Sequence, residues 1–295
     1  MTRDVLDRWM LDALTRVEHS LSLWLPSSAP AGLAETMRYG VLGGGKRLRP
    51  LLVLAACEAV DGQAEAAMRA AVAVELIHAY SLVHDDLPCM DNDVLRRGKP
   101  TVHVRYGEAG AMLAGDAMQA LGFEVLTPDQ GVAPELQARL CGLLSRAAGH
   151  AGMAGGQAID LLSAGKPLDE ATLRDMHRRK TGALLQASVL MGAATGACSP
   201  AAWAGLADFG AAIGLAFQVI DDILDATQAT EKLGKTAGKD QQSNKPTYVT
   251  VLGLTEAWHQ ARELHRQALE ALDRSGLAGA HRLRQLADRL VERDS

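Results

Sequence analysis

Two clusters of aspartates contain the residues of this chain that are best suited to chemistry. The first runs from His84 to Asp93, reads HDDLPCMDND and is followed one residue later by LRRGKP. Four carboxylates and three cations therefore lie within sixteen residues. Carboxylates that crowd together without paired cations repel one another and resist ionisation. A magnesium ion would remove that conflict, because it binds one or two carboxylates and completes its shell with water and substrate phosphate.

The geometry of this first cluster depends on Pro88. Apolar spacing predicts a helix over 64–87, and on a straight helix Asp85 and Asp91 would point about 240° apart. Since a proline kinks or ends a helix, a bend at Pro88 can bring the two side chains toward one point. A solvated acidic helix end would explain the same residues.

The second cluster closes another apolar helix and is more regular. Gln218, Asp221, Asp222 and Asp225 lie at positions i, i+3, i+4 and i+7, so they share one stripe of the helix. The preceding stretch, 209–220, is apolar on nearly all sides, which is typical of a buried helix. Carboxylates at the end of a buried helix are costly unless they are paired or bind metal. The two clusters together indicate one polynuclear metal site that faces a diphosphate.

A glycine-rich segment supplies further candidates for phosphate binding. Residues 43–50 read GGGKRLRP, and three glycines allow backbone amides to approach an anion closely. Lys46 and Arg49 lie at the start of the next helix, where a phosphate binds well; ordinary surface cations are the alternative. The segment nearly matches a nucleotide P-loop, but Arg47 stands where serine or threonine would hold magnesium. A nucleotide hydrolase or kinase is therefore disfavoured.

Three more side chains near the first cluster could bind anions. His78 precedes Asp85 by seven residues and shares its helix face, roughly 10.5 Å away along the axis. A half-buried histidine with a local hydrogen bond is the alternative. Arg96 and Arg97 are adjacent and would diverge on a helix, so each could bind a different diphosphate through its planar guanidinium.

The two motifs and their order resemble one protein family. Asp-Asp-x-x-x-x-Asp followed by Leu-Arg-Arg-Gly, with a later Gln-x-x-Asp-Asp-x-x-Asp, resembles the trans-isoprenyl diphosphate synthases, and the bacterial farnesyl diphosphate synthases in particular. The resemblance extends from about Tyr39 to Tyr248. It implies an all-α fold, a single large helical bundle of the isoprenoid synthase type with a central cavity. It also implies one domain that comprises residues 1–295.

The resemblance further implies roles for individual side chains. The ligands of three Mg²⁺ ions would be Asp85, Asp86, Asp91, Asp221 and Asp225. Isopentenyl diphosphate would be bound by Lys46, Arg49, His78 and Arg97. Contacts to the allylic substrate would come from Arg96, Lys180, Thr181, Gln218, Lys235 and Lys245. The catalytic groups among these would be Asp85, Asp86, Arg96, Lys180, Asp221 and Lys235.

The implied reaction is the head-to-tail condensation of isopentenyl diphosphate with dimethylallyl or geranyl diphosphate. In the family, an aromatic residue five positions before the first motif goes with a fifteen-carbon product, and Tyr80 stands at that position. Farnesyl diphosphate is therefore expected, with geranyl or geranylgeranyl diphosphate as alternatives. A helical wheel places Tyr80 about 140° from Asp85, so periodicity alone does not place Tyr80 in the path of the growing tail.

Three other protein classes fit the motifs less well. A class I terpene cyclase would normally carry an Asn/Asp-x-x-Ser/Thr-x-x-x-Glu second motif, but here Asp221, Asp222 and Asp225 stand in that place. A non-catalytic prenyltransferase subunit would have lost the aspartates. A di-iron bundle would need Glu-x-x-His motifs in pairs.

The elements that must position these residues are predicted to be helices, because alanine and leucine dominate and aromatics make up only 4%. The predicted helices cover 2–25, 51–60, 64–87, 107–126, 134–150, 169–180, 203–225, 247–272 and 278–293. The glycine- and lysine-rich loop after Asp225 is expected to act as a lid. Gly155 and Gly156 predict close helix packing. Gln157 and Asp160 share a helix face that the resemblance places on the cavity wall; a buried hydrogen-bonded pair is the alternative.

Composition restricts the partners and the compartment. A net charge of −5 gives no general basic field for nucleic acid. The most apolar region, 182–220, is interrupted by polar residues, so no membrane span is predicted. Four scattered cysteines without a Cys-x-x-Cys pair favour neither disulfides nor zinc, and a cytoplasmic location is expected. A homodimer is expected from the resemblance.

Overall fold

A computed structural model describes residues 3–163, 165–227 and 246–292. These residues form an α-helical bundle, and the predicted all-α class is confirmed. The helices are α1 Arg3–Trp24, α2 Leu33–Val41, α3 Leu48–Ala59, α4 Ala64–Asp85, α5 Val102–Tyr106, α6 Glu108–Leu126, α7 Pro134–Ala148, α8 Met153–Ser163, α9 Glu170–His177, α10 Ala183–Ala194, α11 Pro200–Thr227, α12 Tyr248–Leu252, α13 Leu254–Ser275 and α14 His281–Val291.

Helices α4, α10 and α11 form the centre of the bundle. Helix α4 packs on α3 and α6, whereas α11 lies between α10 and α13. Within the described residues, α4 and α11 are long and apolar enough to cross a membrane by length and composition, although no spanning segment was predicted. Of their most apolar windows, 67% and 61% are buried inside the fold, as in the core helices of a bundle.

A short β-hairpin follows the first aspartate motif and was not predicted. Strand β1, Leu95–Arg96, pairs antiparallel with β2, Lys99–Pro100. The two residues of the turn, Arg97 and Gly98, have positive φ angles of 53° and 73°, as the tightest hairpin turns require. The expectation that Arg96 and Arg97 diverge on a helix is therefore wrong, because they diverge at a hairpin turn.

A π-helical turn, Arg178–Gly182, connects α9 to α10. The sequence pattern predicted an ordinary helix over 169–180, but the α-helix ends at His177 and the residues up to Lys180 belong to the wider π-helical turn. Helix α8 packs closely on this turn, since a Cβ atom at Gly156 would lie 2.1 Å from the Lys180 backbone nitrogen. The close packing predicted from the paired glycines is thus confirmed at Gly156.

Candidate active site

Both aspartate motifs reach the same cleft, which has a volume of about 210 Å³. Helix α4 ends at Asp85, two residues before its predicted end, and the chain turns at Pro88. The backbone N–H of Asp91 then donates a hydrogen bond of 2.8 Å to the Asp85 carbonyl oxygen. Asp85 and Asp91 line the cleft on one side, and Asp221 and Asp222 line it from α11. The predicted convergence of Asp85 and Asp91 is confirmed.

The electrostatics of the cleft match a site for a hard cation. Burial, opposed by the Lys180 ammonium and assisted by the nearby Asp91 carboxylate, raises the pKa of Asp85 to about 6. Among the described residues, no three His, Cys, Asp or Glu side chains are arranged to hold a metal by themselves. Magnesium does not need such a set, because it takes one or two carboxylates together with water and substrate phosphates. The carboxylates of the cleft therefore fit it.

Asp86 has a different environment from its neighbour Asp85. Its carboxylate accepts hydrogen bonds of 2.9 and 3.0 Å from Arg96 Nε and one of 2.6 Å from Arg96 Nη2. Asp86 is only 2% exposed, and it lines a small pocket beside Arg97 and Lys99 instead of the main cleft. The structure thus pairs Asp86 with a guanidinium, and its role as a metal ligand stays a prediction.

Three side chains of the second motif, Gln218, Asp221 and Asp222, line the cleft, and hydrogen bonds within the fold hold two of them. Gln218 accepts a 2.9 Å hydrogen bond from the Thr181 hydroxyl and donates one of 2.8 Å to Asp222. The other Asp222 oxygen accepts the backbone N–H of Tyr248 at 2.8 Å. Asp221 lines the cleft, whereas Asp225 is buried and is not among the side chains that line it. Metal binding by Asp225 stays a prediction.

Sequence reasoning missed His177, which also lines the cleft. Its ring stacks on Tyr248 with centroids 5.4 Å apart, and its Nε2 atom lies 3.9 Å from an Asp222 oxygen. Burial lowers the pKa of His177 to about 4, so the imidazole is neutral at neutral pH. The sequence held one indication of this position: His177 precedes Lys180 by three residues, which is about one helical turn.

The predicted isopentenyl diphosphate residues gather at the start of α3. Arg49 and His78 line a second cavity of about 360 Å³, which shares Asp85 and Lys180 with the cleft. The guanidinium of Arg97 lies against the glycine segment: a Cβ atom at Gly45 would be 2.7 Å from Arg97 Nη2.

The buried part of this cation cluster stays positively charged around a neutral ring. Burial lowers the pKa of Arg49 to about 10, with Glu75 opposing the shift. Burial also lowers the pKa of His78 well below its ordinary value, and the charges of Arg49 and Arg97 add to that effect. His78 is therefore uncharged at neutral pH. Lys46 is exposed on the glycine segment.

Tyr80 lines the second cavity together with apolar side chains from α8. It is 9% exposed, accepts a hydrogen bond of 3.3 Å from Gln119 Nε2 and contacts the His84 ring edge to face. The structure thus places Tyr80 in the cavity wall, which the helical wheel did not. Lys235, Lys245 and the loop expected to form a lid lie outside the described residues.

Comparison with known proteins agrees with this arrangement. The polyprenyl synthetase family model matches residues 30–280. Over 268 residues the chain is 47% identical to the chloroplastic geranylgeranyl pyrophosphate synthase of Capsicum annuum, which covers 90% of this chain and 73% of that protein.

Two solved structures share the whole architecture. An FPP/GFPP synthase from Zymomonas mobilis superposes with a TM-score of 0.87 at 40% identity, over 98% of this chain and 100% of that one. A geranyltransferase from Helicobacter pylori, complexed with magnesium and isoprenyl diphosphate, gives a TM-score of 0.86 at 36% identity, over 97% of each chain.

Proposed function

The chain belongs to the polyprenyl synthetase family and has its all-α isoprenoid synthase fold, and from this premise we propose that it condenses isopentenyl diphosphate head-to-tail with an allylic diphosphate. The observation that carries the proposal is the cleft itself. Carboxylates at the end of α4 and in the last two turns of α11 line it from opposite sides, with Lys180 and Arg96 beside them. The adjoining cavity, which shares Asp85 and Lys180, offers an apolar wall to a prenyl tail.

The residues of the cleft would hold the allylic diphosphate and its magnesium. Asp85, Asp91 and Asp221 provide oxygen ligands of the type that magnesium takes. When bound, magnesium supplies charge neutralisation for the leaving diphosphate. Lys180 and Arg96 line the same cleft, and both can donate charge-assisted hydrogen bonds to phosphate oxygens. These donors stabilise the charge that grows on the diphosphate as the allylic carbon–oxygen bond breaks.

The second substrate would lie beside the allylic group. Lys46, Arg49 and Arg97 supply positive charge for isopentenyl diphosphate, and the neutral His78 ring supplies one hydrogen-bond donor. The apolar cavity keeps water away from the allylic cation while the isopentenyl double bond attacks it. The carbocation formed by this attack must then lose a proton, and the family resemblance implies that the departing pyrophosphate accepts it.

Two observations bear on the length of the product, and they favour different lengths. The name of the Capsicum annuum relative, a geranylgeranyl pyrophosphate synthase, favours a twenty-carbon product over the farnesyl diphosphate expected from the sequence. We therefore put geranylgeranyl diphosphate first. Tyr80 in the cavity wall is the observation that favours the shorter farnesyl diphosphate as the second candidate.

The compartment, the oligomeric state and the number of magnesium ions are also proposals, and each has less support than the reaction. Four unpaired cysteines support a reducing compartment such as the cytoplasm. A homodimer and a set of three Mg²⁺ ions rest on the family resemblance alone. A non-catalytic subunit is disfavoured because the aspartates line the cleft from both sides.

The deciding experiment combines purified protein, magnesium and isopentenyl diphosphate with dimethylallyl, geranyl or farnesyl diphosphate in turn, and sizes the products by chromatography. Chain elongation that stops when magnesium is chelated is the expected result. A twenty-carbon end product would support the first candidate, and a fifteen-carbon end product the second. Absence of elongation with every primer would refute the proposed function.

A further inference from the structure

Arg47 belongs to the glycine-rich segment, but its side chain turns away from the cleft. Its Nε donates to Glu18 at 2.7 Å, its Nη1 to Glu75 at 2.6 Å and its Nη2 to the Val41 carbonyl oxygen at 2.7 Å. The side chain is only 1% exposed and that of Glu75 only 3%. One guanidinium thus joins α1, the end of α2 and the middle of α4.

These contacts hold a strained stretch of backbone. Arg47 immediately precedes α3 and has a positive φ of 45°, a conformation that residues other than glycine rarely adopt. Lys46 comes directly before it, and Arg49 lies in the first turn of the helix that follows. The direction in which both of these cations point is therefore set by the backbone that the Arg47 side chain anchors.

Glu75 also acts on the neighbouring cations. Burial lowers the pKa of Arg97, and the positive charge of Arg47 lowers it further, whereas Glu75 opposes the shift. Glu75 opposes the lowered pKa of Arg49 in the same way. Among the described residues, the buried Nε of Arg49 has no hydrogen-bond partner. The Glu75 carboxylate is thus bound to Arg47 while its negative charge also attracts the guanidinium groups of Arg49 and Arg97.

Stability alone is a weak reason for such an arrangement. A buried ion pair adds little net stability compared with apolar side chains of similar volume, because desolvation offsets the attraction. Fixing a single geometry is a better explanation when the anchored residue stands between two substrate-binding cations.

We propose that Arg47 and Glu75 are positioning residues for isopentenyl diphosphate. Their pairing fixes the backbone that presents Lys46 and Arg49, and it leaves Arg49 and Arg97 to bind the diphosphate. The inference rests on the proposed function, since it assigns these cations to the second substrate. It requires that the effect of the pair be confined to that substrate, because the allylic diphosphate is bound by other elements.

Steady-state kinetics of Glu75→Gln test the proposal with each substrate varied while the other is saturating. The KM for isopentenyl diphosphate should rise about 10- to 100-fold, the scale for misplacing binding groups by roughly 1 Å. The KM for the allylic substrate and kcat at saturation should stay at the wild-type values. The matched control is Glu65→Gln on the same helix, where the exposed Glu65 pairs with Arg69, and it should change neither KM.

A second variant keeps the test decisive if Glu75→Gln does not fold. Glu18 contacts Arg47 from α1 and is 39% exposed, so Glu18→Gln should fold and raise the same KM by a smaller factor. A rise of both KM values by one factor, or a loss of kcat with both KM values unchanged, would overturn the proposal.

Failure of the proposed function can be told apart from failure of this inference. If the wild type shows no elongation, calorimetric titration with isopentenyl diphosphate alone tests the pair directly. Binding by the wild type that weakens in Glu75→Gln and not in Glu65→Gln would still support the positioning role. Equal binding by the wild type and both variants, or no binding by the wild type, would refute it.

Discussion

The Lys180 ammonium lies 2.5 Å from a carboxylate oxygen of Asp160, and this ion pair ties the π-helical turn to α8 beside the cleft. The Asp160 side chain is 7% exposed and that of Lys180 24%. Lys180 also opposes the raised pKa of Asp85. A single ammonium thus lies between the buried Asp160 carboxylate and the aspartates that line the cleft.

Lys180 and Asp160 should be energetically coupled, which a double-mutant cycle with Lys180→Met and Asp160→Asn can measure. Urea unfolding of the four proteins should give a coupling free energy of about 1–3 kcal/mol, the upper range for residues in direct contact. The exposed pair of Asp208 and Arg274 serves as control, with about 0.2–1 kcal/mol expected. A coupling no larger than that of the control would show that the close contact adds nothing.

Asp85→Ala and Asp221→Ala should each lower kcat by at least about 10²-fold, the scale for losing one preorganised stabiliser of transition-state charge. Both carboxylates line the cleft, one from each motif. The control is Asp129→Ala, at an exposed loop position, which should leave kcat unchanged. Turnover near the wild-type value in either cleft variant would contradict the role assigned to the two motifs.

The features that follow local rules could be predicted from the sequence. Pro88 cannot sit inside a helix, and this rule indicated the bend that brings Asp85 and Asp91 to one cleft. The spacing of Gln218 and Asp221 likewise placed both on one stripe of α11, and both line the cleft. Gly156 indicated a close approach of two helices, which the structure has at the Lys180 backbone.

The features that depend on tertiary contacts could not be predicted. Nothing local in the first motif shows that Asp86 pairs with Arg96 while its neighbour faces the cleft. The hairpin turn at Arg97 places a non-glycine residue at positive φ, against its intrinsic preference. The wheel failed for Tyr80, because the cavity between α4 and α8 is wide enough to include side chains on either flank of the Asp85 face.

Tyr80→Ala should lengthen the end product, because it removes a ring from the wall of the cavity that adjoins Asp85 and Lys180. Chromatography of products from isopentenyl and geranyl diphosphate would measure the change, with Tyr106→Ala as the control at a tyrosine that does not line this cavity. An unchanged product length would dismiss Tyr80 as the stop and remove the main support for a farnesyl product.

His177→Phe should reduce the loss of unfolding free energy that occurs as the pH falls below neutrality. Burial lowers the pKa of His177 to about 4, with Asp160 opposing, Lys180 adding and Asp221 opposing the shift. A pKa lowered on folding means that the unfolded chain binds the proton more readily than the folded protein does. The stability that the neutral His177 contributes is therefore complete above about pH 6.5 and is lost as the pH falls toward 4. Phenylalanine keeps a ring to stack on Tyr248 and cannot titrate.

The measurement is urea unfolding of the wild type and His177→Phe near pH 7 and near pH 5. His177 should cost the wild type about 2 kcal/mol of unfolding free energy between these two values, since one unit of pKa shift corresponds to about 1.4 kcal/mol. The raised pKa of Asp85 increases stability as the pH falls, and it does so equally in both proteins. The difference between the two proteins therefore isolates the effect of the histidine. His259→Phe, at an exposed histidine, should reproduce the wild-type loss. A loss in His177→Phe as large as in the wild type would mean that the imidazole already carries its proton in the folded cleft, where it would add a positive charge beside Asp222.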